Sequence, residues 1–70
     1  ALLLLAGCQN AGQRAEAEYQ TMVDGNADSA ELCRKSNEVA QAWTVVGDSK
    51  KYAEWREKSK LDCLDARLRQ

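Results

Sequence analysis

The chain contains no histidine and no proline, and only 4 glycines among its 70 residues. Without histidine it lacks the usual general base near neutral pH, the imidazole of a hydrolytic triad and the commonest metal ligand. Without proline, and with alanine, leucine, glutamate, lysine, arginine and glutamine prominent, little interrupts a helix and little favours a sheet. Neither sign of charge is in excess: 10 Lys/Arg face 11 Asp/Glu, a formal −1. No basic stripe suited to phosphates results, so nucleic acid is not an expected partner. A glycine-rich phosphate cradle and a Cys-x-x-Cys redox motif are also missing. These absences predict an all-α chain that is not an enzyme and uses no cofactor. So short a chain buries a small core, and extra staples are expected.

What is present begins with "ALLLLAGCQN". Its apolar run is too short to span a bilayer, and it meets a cysteine where the polar sequence starts. Leu5, Ala6, Gly7 and Cys8 fill the four places of the pattern Leu, small, small, Cys. The stretch resembles the end of a bacterial lipoprotein signal peptide, with its lipobox. By that resemblance, residues 1–7 are the remnant of a leader whose basic segment would precede Ala1, and they are removed in processing. Cys8 then takes diacylglycerol on its sulfur and an acyl chain on its new amino group. Residues 8–12 are the lipid anchor and a short tether, and residues 13–70 are a small helical domain. Gln9 and Asn10 follow the cysteine where an aspartate would retain such a protein in the inner membrane. The expected place is therefore the outer membrane of a two-membrane bacterium, facing the periplasm.

The first helical segment is "AGQRAEAEYQTMV", about 11–23, where Ala15, Tyr19, Met22 and Val23 make a narrow apolar face. Gly25 and Asn26 tolerate left-handed backbone and suit its end. Asp28, with Glu31 three residues on, caps the next helix. That helix covers about 29–46, with Leu32, Ser36, Val39, Trp43 and Val46 on one stripe and Cys33 and Ala40 at its border. Gly47 ends it, and Asp48 or Ser49 caps a third helix over about 49–69. So short a connection makes the two antiparallel neighbours. The third helix has an inner stripe of Tyr52, Trp55, Ser59, Cys63 and Ala66, and a second stripe of Leu61, Leu64 and Leu68. A second neighbour should cover those leucines: the first helix, or a partner protein. The first helix either docks to complete a small three-helix arrangement or stands as a loose stalk.

Three cysteines leave one to explain in an exported protein, and lipidation of Cys8 accounts for it. Cys33 and Cys63 lie fifteen residues either side of Asp48, at one height on facing stripes. A disulfide clamp between them is expected, and an oxidising periplasm would preserve it.

Sharper chemical readings of the sequence fail on their details. Asp24, Asn26 and Asp28 hold the first, third and fifth places of a calcium loop, but Ser29 stands at the glycine place and Lys35 at the closing glutamate. The segment reads as a turn followed by a cap. Glu16 and Glu18, and Asp62 and Asp65, are interleaved with Arg14, Lys58, Lys60, Arg67 and Arg69, and read as solvated helix faces. Trp43, Tyr52 and Trp55 read as core, and Ser36 and Ser59 as serines bonded to a carbonyl one turn back.

Two functions follow as expectations. One is a membrane-anchored, non-catalytic interaction or scaffolding module of the cell envelope, which meets membrane lipid through its anchor and another envelope protein through Leu61, Leu64 and Leu68. Its tip "VVGDSKKY" would return to the lipid and set Lys50 and Lys51 near headgroups. The other is a membrane-active lipoprotein of the lysis, release or envelope-stress type.

Overall fold

Each helical segment begins where a side chain is placed to satisfy its free amides. In a computed structural model describing residues 9–69, α1 spans Ala11–Asp24, α2 Ser29–Val46 and α3 Ser49–Leu68. Asn10 opens α1 with a capping box: its Oδ1 accepts from the Gln13 amide at 2.8 Å and its own amide donates to Gln13 Oε1 at 3.1 Å. Asp28 accepts from the Glu31 amide at 2.9 Å, and Asp48 from the Lys51 amide at 3.0 Å. Of the two caps the sequence offers for α3, Asp48 is the one used.

The helix ends are equally local. Asn26, at φ 61°, takes the left-handed position after α1; its amide donates to the Val23 carbonyl and that of Ala27 to the Met22 carbonyl. Gly47, at φ 89°, does the same after α2: its amide donates to the Thr44 carbonyl and that of Asp48 to the Trp43 carbonyl. Both are Schellman closures, in which two carbonyls otherwise left bare are satisfied. Asp24, Asn26 and Asp28 are thus spent on a helix end, a left-handed turn and a cap.

The second helix is central: its backbone runs close to both α1 and α3, while α1 reaches α3 through side chains. The core consists of Ala15 and Tyr19 from α1 with Val39, Ala40 and Trp43 from α2, and Leu32 and Trp55 pack against it. Burying one such large apolar side chain stabilises the fold by roughly 1.5–3 kcal/mol, so these few residues carry much of a small domain. Small side chains set the α2–α3 contact. Cys33 and Cys63 are joined across it with a Cα–Cα distance of 4.5 Å, and Ser36 and Ser59, one turn from them, are buried and small enough to allow so close an approach. The equal distances of the two cysteines from Asp48 are thereby borne out.

Polar groups beside the disulfide are all used. Ser36 Oγ donates to the Cys33 carbonyl at 3.0 Å, and Asn37 Nδ2 donates to the same oxygen at 3.1 Å. Ser59 departs from expectation, for its Oγ donates across the helix pair to Asn37 Oδ1 at 2.8 Å. Among the described residues no buried side-chain nitrogen or oxygen lacks a partner.

The first helix docks rather than standing as a stalk, but it does not cover the leucine stripe. Leu61, Leu64 and Leu68 remain 66%, 49% and 75% exposed. The reason is rotational. With Ser59 and Cys63 turned towards α2, the leucines fall on the opposite side of α3, while α1 sits beside Trp55 and Asp62. Tyr52 is also outside its expected place, being 37% exposed at the α2–α3 turn.

At the far end from that turn, Ser29 Oγ donates to Asp65 Oδ2 at 2.6 Å and Arg69 Nε donates to the same carboxylate at 3.0 Å. The Ser29 hydroxyl, then Arg69, holds the Asp65 carboxyl below its ordinary range. Glu18 is lowered too, by its bond to Lys35 and then by the Lys35 charge. A depressed folded value means that the unfolded chain takes up protons first on acidification. The stability these groups supply is present above the ordinary carboxylate range and is lost as pH falls through their folded values. Urea midpoints measured across that acid range should fall for the parent chain and fall less for Asp65→Asn. Equal falls in the two would overturn the assignment.

Candidate functional site

The end of the bundle where the chain enters α1 holds its densest set of polar and aromatic contacts. Glu16 Oε2 accepts from the indole Nε1 of Trp43 and of Trp55, each at 2.8 Å, and from Lys51 Nζ at 3.2 Å. One carboxylate oxygen therefore joins all three helices. Lys51 Nζ also lies 5.4 Å from the centre of a Trp43 ring, a cation–π arrangement. Gly12, one turn before Glu16, is pressed against the same ring and is itself buried.

A second set continues along the α1–α3 seam. Tyr19 meets Trp55 edge-on with ring centres 5.1 Å apart, and its hydroxyl donates to Asp62 Oδ2 at 2.6 Å. Lys58 Nζ stands 5.0 Å above the Tyr19 ring and 3.8 Å from Asp62 Oδ1. Burial, and then the bond to Asp62, push the Tyr19 hydroxyl above its ordinary pKa, so it remains a donor rather than an activated phenolate.

Glu16 and Asp62 are thus not solvated-face residues. Their side chains are 28% and 17% exposed and each is committed to named donors. The signal for Glu16 lay in the sequence: Gly12, Glu16 and Tyr19 follow one another by four and three, which places the carboxylate on the inner stripe. An apolar pattern passes over such a residue because its charge disguises its position. Glu18 and Asp65, by contrast, lie at the surface as expected.

The sequence-derived site residues divide by place. Cys33 and Cys63 are joined. Lys50 is exposed at the α2–α3 turn, but Lys51 is turned inward to Glu16 and is not free for another anion. Leu61, Leu64 and Leu68 form an open apolar stripe on the outer side of α3. Cys8, with Leu5, Ala6 and Gly7, lies outside the described residues. No helix among the described residues is long and apolar enough to cross a membrane. No group of three His, Cys, Asp or Glu side chains among them converges as metal ligands would. Comparison with family models, with curated proteins and with solved structures gives no match.

Proposed function

We propose that this chain is a membrane-anchored lipoprotein facing the periplasm, held through Cys8 at the outer membrane, where it serves as a non-catalytic interaction or scaffolding module of the cell envelope. The observation that carries the reading is the spacing of lipobox and fold. Cys8 closes the Leu5-Ala6-Gly7-Cys8 pattern only two positions before Asn10, the residue that caps α1. A disulfide-clamped domain thus starts directly after the anchor, as suits a part meant to stand on a membrane surface. Diacylglycerol plus an N-acyl chain supplies the multiple lipid signals that stable attachment requires, since one chain alone holds weakly. The open stripe of Leu61, Leu64 and Leu68 is the surface offered to another envelope protein. The polar side chains of the core are bonded to one another, which supports a structural use for them.

Replacement of Cys8 is the direct test. Cys8→Ser should abolish labelling of the expressed protein by a fatty-acid probe, while the parent chain is labelled. Labelling is the readout that decides, because an unprocessed apolar leader would itself keep the variant in the membrane fraction. Labelling that persists in Cys8→Ser would sink the lipoprotein reading.

A further inference from the structure

The first helix enters the bundle at the same end as the α2–α3 turn. Gly12 lies against Trp43, four residues before Gly47, and Glu16 bonds Lys51, three residues after Asp48. Any anchor on Cys8 is therefore confined to this end. Only Gln9 stands between Cys8 and Asn10, and two Cα–Cα steps reach about 7 Å at most. So short a tether keeps the α2–α3 turn within reach of the lipid surface, where side chains on the turn decide whether it rests there.

The side chains displayed there suit that surface. Val45 is 81% exposed, Val46 38% and Tyr52 37%. All three fall within eight consecutive residues, at the end of the bundle where α2 turns into α3. The charges beside them cancel, Asp48 and Glu16 against Lys50 and Lys51, and they differ in how far they are engaged. Asp48 is occupied in capping α3, and Lys51 is neutralised by Glu16. Lys50 is exposed and has no ion-pair partner among the described residues. Aliphatic side chains, a tyrosine and an unpaired lysine are what the headgroup region of an anionic bilayer accommodates.

We propose that the turn Val45–Tyr52 is a second membrane contact, with Val45, Val46 and Tyr52 resting in the headgroup layer and Lys50 against anionic headgroups. This rests on the lipoprotein reading. The contact fixes the orientation of the domain: the bundle stands on its α2–α3 turn, and the far end, with Ser29, Asp65 and the nearby Leu68, points away from the lipid.

The test uses the mature acylated protein, isotope-labelled and reconstituted in nanodiscs of phosphatidylethanolamine and phosphatidylglycerol that carry a gadolinium-chelating headgroup lipid. Intact mass first establishes the acyl chains on Cys8. Amide signals from Val45 to Tyr52 should be lost selectively, while those of residues 24–30 and 65–69 persist. The loss should be relieved in Val45→Asp/Lys50→Glu, whose changes are at exposed positions and leave the anchor intact. Acyl mass present with the turn unbroadened, or with both ends broadened alike, overturns the contact and leaves the anchor standing. Absence of acyl mass overturns the lipoprotein reading and this orientation with it.

Discussion

Replacing Cys33 and Cys63 together by alanine should lower the thermal midpoint of the domain by on the order of 20 °C. The two residues are 30 apart in sequence, and closing a loop of that length restricts the unfolded chain by roughly 3–4 kcal/mol in the chain-entropy model. A chain of this size has a total stability of only about 4–10 kcal/mol, so the bond supplies a third or more of it. Its position adds to the effect. The disulfide lies deep along the α2–α3 pair, far from the turn that already joins the helices, so it restrains ends that would otherwise separate. Small side chains at the contact bury little apolar surface to compensate for its loss. Thermal melts of the parent and of Cys33→Ala/Cys63→Ala, followed by circular dichroism, give the answer. A midpoint within a few degrees of the parent's would show that helix packing alone holds the hairpin.

Gly12→Leu is expected to detach α1 from the bundle. A Cβ at position 12 would lie 2.3–2.5 Å from three ring carbons of Trp43, well inside van der Waals contact. The ring has no room to yield. It is 4% exposed, its Nε1 is bonded to Glu16, and Lys51 lies against its face. Replacing glycine within a helix returns up to about 1 kcal/mol of backbone preference, whereas overpacking a filled site costs roughly 1–3 kcal/mol. Alanine already brings that Cβ against the ring, so Gly12→Ala should itself weaken the α1 contact, and the larger leucine adds to the steric cost. A detached α1 of 14 residues is too short to remain helical by itself. Tryptophan emission should therefore shift to the red, and amide protection should vanish over Ala11–Asp24 while α2 and α3, still clamped by their disulfide, keep theirs. Unchanged emission together with protected α1 amides would contradict this account of the Gly12–Trp43 contact.

Much of the fold was legible because it depends on short-range chemistry. Helix α2 occupies the residues its periodicity marks, and α1 and α3 agree with theirs to within one residue. Asp28, Asn26, Gly47 and Asp48 act within a turn of themselves, so their neighbours in sequence already state their roles. The disulfide was legible for a related reason: a short turn imposes antiparallel register, and register matches residues equally distant from the turn.

What the sequence left open was how each helix is rotated about its axis and which of two faces its neighbour covers. Leu61, Leu64 and Leu68 have the periodicity of a buried stripe, yet α1, which was to cover them, docks beside Trp55 and Asp62 and leaves them exposed. Glu16 has the charge of a surface residue, yet two indoles and Lys51 made its partly buried position favourable by satisfying it. The sequence by itself determined the three helices, the cap at Asp28, the closures at Asn26 and Gly47 and the cysteine pairing, since each is set by neighbours along the chain or by one short turn. Only the tertiary structure decided that α1 docks through Gly12 and Glu16 and that the leucines stay outside, because covering one face of a helix is a competition among all the surfaces brought together by folding.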